Sequence, residues 1–216
     1  MDLSLVKVEA ASTDGYLTAT DSNWNSARGA STGGTGVGDT DTSAVYLEAK
    51  AVLSGGNYII RRSFLHFSFT SYDCSDISSI NLYVGGIASY TGDEIIVVKS
   101  TAFDDALSAA DFDALDISAT YSSASGHTLA ENSNTIALNA AAITDAKANK
   151  ALQIAIVDFT HDYSNSAPSD TSSVSRISSA DGVAAYVIIS GAYATKEAIP
   201  AKFIDKDEFV INRYDS

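Results

Sequence analysis

The stretch Tyr58-Ile59-Ile60-Arg61-Arg62-Ser63-Phe64-Leu65-His66-Phe67-Ser68-Phe69 decides the fold class. Ser63, Leu65, Phe67 and Phe69 share one parity and Arg62, Phe64, His66 and Ser68 the other, so an extended chain gathers the larger apolar set on one face. Wound as a helix, Phe64, Leu65 and Phe67 would spread over too wide an arc, and Arg61 and Arg62 would interrupt the stripe. Turn-forming residues bracket the stretch, with Gly55-Gly56-Asn57 before it and Thr70-Ser71-Tyr72-Asp73 after it. It reads as the central strand of a sandwich with Leu65 and Phe67 pointing inward. On that reading Phe67→Ala costs about 3–5 kcal/mol and Arg61→Ala under about 1 kcal/mol.

Outward from this strand the chain keeps the same period. Towards the N-terminus, Leu3, Leu5 and Val6 alternate with polar residues, Asp14-Gly15 turns into a second strand at Tyr16 to Ala19, and Val45 and Leu47 resume period two. Towards the C-terminus, Ile77 to Val84, Thr135 to Leu138, Leu152 to Val157 and Ala185 to Ser190 read as strands. Glu94-Ile95-Ile96-Val97-Val98-Lys99 is a continuous β-branched run, the pattern of a strand covered on both faces or bent. Two short helices fit. Ser108-Ala109-Ala110-Asp111 has capping-box spacing ahead of a turn reaching Leu115, and Asn139 can cap Ala140 to Ala148 with Asn149 ending it. Residues 29–43 hold Val37 as their only large apolar side chain and read as a long mobile loop, and His161 to Ser175 as a second polar loop. The fold class expected is all-β: an antiparallel two-sheet β-sandwich of jelly-roll type with one or two short helices over residues 1–190. Residues 191–216 form a C-terminal extension.

Charge and cysteine content narrow the function. The 216 residues carry 27 acidic and 13 basic side chains and a formal charge of −14, which repels phosphate backbones and anionic lipid surfaces, so neither nucleic acid nor membrane is an expected partner. The single cysteine, Cys74, can form no internal disulfide, and with His66, His127 and His161 as the only histidines it is too little for a Cys/His zinc cluster. The N-terminal residues lack a basic region followed by an apolar core of signal-peptide length, and no apolar run approaches the roughly 20 residues of a membrane helix, so the expectation is a soluble protein made in a cytoplasm.

Residues that carry chemistry are sparse. Ser, His and Asp are present without a Gly-x-Ser-x-Gly elbow or a spaced acid–base pair, and the expectation is a protein that is not an enzyme. Asp39-Thr40-Asp41 and Asp111-x-Asp113 are the acidic pairs best suited to calcium, the only cofactor that comes into question, but neither has the glycine placement of a calcium loop. Eleven tyrosines and Trp24 raise the alternative of a carbohydrate-binding module or adhesin, in which aromatic rings stack on sugars. Trp24, in the polar setting Ser22-Asn23-Trp24-Asn25-Ser26, is the candidate ligand contact; the competing reading folds it over the end of the sandwich as a plug.

The order Asp14-Gly15-Tyr16, Trp24, Ala27-Arg28, then Arg62-Ser63-Phe64-Leu65-His66-Phe67, Ile77-Ser78-Ser79-Ile80-Asn81-Leu82-Tyr83-Val84 and Ser178-Ser179-Ala180-Asp181 before an apolar closing strand resembles β-sandwich virion proteins of tailed bacteriophages. It is distantly similar to cell-surface domains of the carbohydrate-binding-module type. The resemblance covers residues 10–190; Ser68 departs from it, standing where the family often has Asp. It implies a structural protein of the virion, such as a capsid decoration, head-fibre or tail component, that binds other capsid or tail proteins and its own copies. It brings no catalytic residues. Past the closing strand, Phe203, Ile204, Phe209, Val210 and Ile211 crowd apolar groups into the extension, more than a disordered tail would carry; they read as a hairpin or added strand that makes them the candidate partner-binding residues, or equally as a segment docked back on its own sandwich.

Overall fold

The computed structural model describes residues 5–11, 14–38, 46–86, 94–102, 107–169, 174–178, 185–191 and 193–194. The strands in chain order begin with β1 (Leu5–Glu9), β2 (Gly15–Asp21), β3 (Gly34–Gly38), β4 (Tyr46–Ser54), β5 (Asn57–Ser68), β6 (Tyr72–Asp73), β7 (Ser79–Gly86) and β8 (Glu94–Ser100). They continue with β9 (Leu115–Thr120), β10 (His127–Thr128), β11 (Asn132–Ala137), β12 (Ala151–Asp158), β13 (Val174–Ser178), β14 (Tyr186–Ser190) and β15 (Tyr193–Ala194). Two α-helices, α1 (Trp24–Arg28) and α2 (Ala140–Asn149), a 3-10 turn over Ala109–Asp113 and a π-helical turn over Phe159–Tyr163 complete the described elements. No helix among the described residues is long and apolar enough to cross a membrane.

The protein is an antiparallel β-sandwich. One layer is made by β1, β14, β7, β13 and β4, with β11 on the far edge of β7; the other by β5, β12 and β8, flanked by β2, β9 and β10. The layers are continuous because β5 changes partner along its length: Asn57 to Arg61 pair with β4, Ser63 to Ser68 with β12, and Tyr58 to Phe64 with β2 on the opposite edge. This single hydrogen-bonded path does not establish jelly-roll wiring.

The main core fills the space between the layers. Leu65 and Phe67 of β5, Ile154 and Ile156 of β12 and Ile95 and Val97 of β8 meet Ile80, Leu82 and Val84 of β7 and Val187 and Ile189 of β14. The inward parity expected of the central strand is therefore the observed one. The other face of β5 is not free, however. Ile60 and Phe64, with Ile96, Val98, Ala155 and Val157, form a second core roofed by Leu17 of β2, Trp24 and Ala27 of α1, and Phe112 of the 3-10 turn. The apolar run in β8 is thus covered on both faces, as its lack of alternation implies.

Local chemistry sets the helices. Asn139 Oδ1 accepts from the amides of Ala141 and Ala142 at 3.0 and 3.2 Å, starting α2 where expected, and Lys150 in the left-handed region (φ 49°) turns the chain directly into β12. Asp111 Oδ2 accepts from the amide and hydroxyl of Ser108 at 2.7 and 2.8 Å, closing the capping box. The mobile loop expected at residues 29–43 is corrected over its first part. Gly34–Gly38 is a strand on the edge of β2, and the Gly33 amide donates to the Ala109 carbonyl at 2.6 Å. Residues 39–43 lie outside the described residues. The polar loop expected after His161 likewise begins inside the π-helical turn, capped by Asp158, whose Oδ1 accepts from the His161 amide at 2.6 Å.

Beyond β14 the chain turns at Gly191 (φ 86°), where a Cβ would stand 2.1 Å from the Asp76 carbonyl oxygen, and pairs Tyr193 with Asp73. The extension thus starts against the body of the sandwich. Its residues Phe203, Ile204, Phe209, Val210 and Ile211 lie outside the described residues.

Phe67 has no exposed surface. Phe67→Ala is expected to cost about 3–5 kcal/mol in urea denaturation, while Leu5→Ala, at a site 68% exposed, stays within about 0.5 kcal/mol.

Candidate functional site

Trp24 opens α1, a helix capped by Asn23, whose Oδ1 accepts from the Ser26 amide at 3.2 Å. The indole packs edge-on to Tyr58 at 5.6 Å between centroids, and its Nε1 donates to Asn165 Oδ1 at 3.1 Å. The ring is 9% exposed and belongs to the second core. Of the acidic pairs, Asp111 is engaged in its capping box while Asp113 is exposed; Asp39 and Asp41 lie outside the described residues. The three histidines are apart on β5, β10 and the π-helical turn, and no group of three His, Cys, Asp or Glu side chains that could hold a metal occurs among the described residues.

What the structure does bring together is charge. Arg62, on the second-core face of β5, is 3% exposed and Asp162 is fully buried. Arg62 Nε and Nη2 donate to Asp162 Oδ2 and Oδ1 at 2.8 and 2.9 Å; Nη1 donates to the Phe112 carbonyl at 3.0 Å and Nη2 to the Arg28 carbonyl at 2.9 Å. The guanidinium lies 4.4 Å over the Phe112 ring, and Arg28 Nε closes the set by donating to the Asp162 carbonyl at 2.7 Å. One side chain so ties β5, α1, the 3-10 turn and the π-helical turn. The neighbouring residue does the reverse on the opposite side: Arg61 pairs with Glu48, fully buried on β4, whose Oε1 also accepts from Arg176 Nε of β13 at 2.7 Å. This corrects the expectation that Arg61 is dispensable, because its loss strands half of a buried carboxylate's partners. Arg62 and Asp162 are fully engaged and hold their segments together, whereas the buried Arg61 Nε makes no hydrogen bond among the described residues.

A third carboxyl behaves differently. Asp14 Oδ1 accepts from the His66 amide at 2.9 Å, taking the place of a strand partner at the edge of β5, while Oδ2 is buried with no hydrogen-bond partner among the described residues. Burial pushes its pKa up to about 8. The adjoining His66 imidazole is half-buried and its pKa is lowered, again by burial.

A partly exposed polar group borders a cleft elsewhere in the sandwich. Lys99, at the end of β8, donates from Nζ to Asp145 Oδ2 of α2 at 2.8 Å, and the Tyr121 hydroxyl donates to the same oxygen. Lys99, Tyr121 and Asp145 stand with Thr101, Asn149 and Gln153 around a cleft of about 410 Å³. Burial, reinforced by the Asp145 carboxylate, raises the Tyr121 pKa, and the Lys99 and Tyr121 bonds hold Asp145 below the usual carboxylate range. Tyr121 therefore stays a neutral donor and Asp145 a charged acceptor: the set is suited to holding hydrogen bonds rather than to moving protons. Sequence reading missed it because the residues come from three separated stretches, none with a motif.

No protein-family model matches the chain, and no curated protein matches it.

Two predictions rest on these groups. Arg62→Met leaves Asp162 charged and dry and is expected to cost about 3–5 kcal/mol, whereas the double change Arg62→Met with Asp162→Leu recovers most of that loss in chemical denaturation. For Asp14 the folded pKa lies above the unfolded one. Between pH 4 and pH 8 the folded state therefore keeps a proton that the unfolded chain has lost, and stability falls as pH rises through that window. Asp14→Asn keeps the acceptor and removes the titration. Its Tm should exceed that of the parent most at pH 8, and the difference should shrink towards pH 4.

Proposed function

We propose that the protein is a non-enzymatic structural component of a virus particle of the tailed-bacteriophage kind, located in the virion as a capsid decoration, head-fibre or tail component, and that it acts by binding neighbouring proteins, its own copies among them. The observation that carries this reading is the edge strand β1. It ends the hydrogen-bonded order of its layer, paired with β14 on one side and with no strand on the other among the described residues. Leu5 on it is 68% exposed, the one exposed large hydrophobic side chain among the described residues. An open edge with an apolar side chain invites a strand from another chain. The occupant proposed is the extension of a neighbouring copy, in which Phe203-Ile204 and Phe209-Val210-Ile211 are two short apolar groups on either side of Asp205-Lys206-Asp207.

Two further features support a binding role. The resemblance in the order of strand motifs points the same way, and buried carboxylates tie β4, β5, β13 and the π-helical turn together, as suits a part that must keep its shape within an assembly. Removal of residues 196–216 tests the reading. The truncated monomer is expected to keep its Tm while losing self-association in sedimentation and incorporation into particles. A truncated protein that melts much lower as a monomer, or that still assembles, would overturn it.

A further inference from the structure

We infer that the cleft between α2 and the adjoining ends of β8 and β12 is a binding site for a neutral polyhydroxyl ligand, a saccharide. The site stands apart from the edge-strand reading above and involves none of its residues.

The ionic groups of this sandwich divide into two kinds. Asp162 and Glu48 are fully buried carboxylates, Asp162 meeting an equally buried Arg62 and Glu48 meeting arginines that reach in from the surface. Lys99 and Asp145 are 36% and 27% exposed by side chain and meet at the wall of an open cleft of about 410 Å³, towards the small end of the roughly 300–1,000 Å³ usual for small-molecule sites. Both donors, the ammonium and the Tyr121 hydroxyl, fall on Asp145 Oδ2, so neither engages Oδ1. Lys99 Nζ carries two protons beyond the one given to Asp145, and Thr101 and Asn149 line the same cleft. This is a mixed array of donors and acceptors at short range, anchored by an ion pair that fixes the carboxylate's orientation.

Charge selects the ligand class. The ammonium and carboxylate cancel locally, and the chain's formal charge of −14 disfavours anions. A cation would have to compete with Lys99 for Asp145. A neutral ligand with adjacent hydroxyls meets neither obstacle, because each hydroxyl both donates and accepts and can bridge an amide to the unengaged carboxylate oxygen. The Tyr121 ring is 2% exposed, so no aromatic face is offered for stacking, and the affinity expected is millimolar.

The test is amide chemical-shift titration of the full chain with glucose, galactose, mannose and N-acetylglucosamine, with acetate and methylammonium as charged probes. At least one sugar is expected to give saturable millimolar shifts confined to residues 99–101, 121 and 145–153, with neither charged probe doing so. Asn149→Ala, outside the ion pair, should weaken that sugar at least about tenfold at unchanged Tm. If it lowers Tm, Lys99→Gln is the second variant, and sugar affinity must fall with it. The inference is overturned if no sugar shifts these residues at 50 mM, if acetate or methylammonium binds there instead, or if the shifts survive these substitutions, any of which leaves the Lys99–Asp145 pair as a tie between helix and strand only.

Discussion

A guanidinium placed where water cannot reach it must find its acceptors in the protein, and Arg62 imposes that demand on the whole upper half of this sandwich. Its side chain projects from β5 into the second core, beside Phe64 and Ile60. Leaving such a charge unsolvated costs several kcal/mol, so the surrounding segments have to deliver acceptors from fixed directions. They do so by ending there. The Arg28 carbonyl comes from the last turn of α1, the Phe112 carbonyl from the 3-10 turn, and both Asp162 oxygens from the π-helical turn. The unusual winding of residues 159–163 is intelligible in this light: Asp158 caps it, and the extra residue per turn swings Asp162 beneath the strand. Roofing the second core and satisfying Arg62 are the same structural act.

The adjacent Arg61 extends the constraint to the other side of the strand. In a strand successive side chains point to opposite faces, so the pair Arg61-Arg62 reaches in both directions, one residue to Glu48 of β4 and the other to Asp162. β5 is also the strand that passes from β4 to β12 along one edge, which makes the two layers one sheet. Its register is thereby pinned twice over. A slip of one residue would exchange Arg61 with Arg62 and Phe64 with Leu65, placing each charge against the wrong carboxylate and each large apolar group in the wrong core. Few segments of this length specify their own placement so completely.

The sequence disclosed those features whose cause is local. The parity of Leu65, Phe67 and Phe69, the unbroken apolar run from Ile95 to Val98 and the Asn139 cap each depend on residues within one element, and each takes the form expected. It was silent where the cause is distant. β3 consists of Gly34-Thr35-Gly36-Val37-Gly38, which has weak strand propensity and is extended because β2 supplies a ladder. Arg62 reads as an exposed residue on a polar face until Asp162, a hundred positions on, is brought beneath it. Trp24 in a run of Ser and Asn gives no hint of Tyr58 and Asn165, which enclose it. The cleft is the extreme case, since Lys99, Tyr121, Asp145 and Gln153 share no spacing and meet only because α2 runs without a linker into β12.

Closed and open ionic groups in the same fold separate stability from recognition. Around Asp162 the Arg62 guanidinium has an acceptor for each nitrogen and the pair is dry, and any ligand would have to break it to enter. Around Asp145 the carboxylate is anchored by an ammonium and a tyrosine hydroxyl, yet the oxygen that neither engages stands beside an opening lined by Thr101 and Asn149. Preorganisation of that kind lowers the ordering cost of binding, because the polar groups are already fixed before a ligand arrives. It is also affordable only at a margin of the fold. Sited in the second core, a half-engaged carboxylate would take the course seen at Asp14, where burial favours the proton over the charge. At the end of the sandwich, where α2 turns into β12, the Lys99 and Tyr121 bonds that orient the carboxylate are also what keep it ionised.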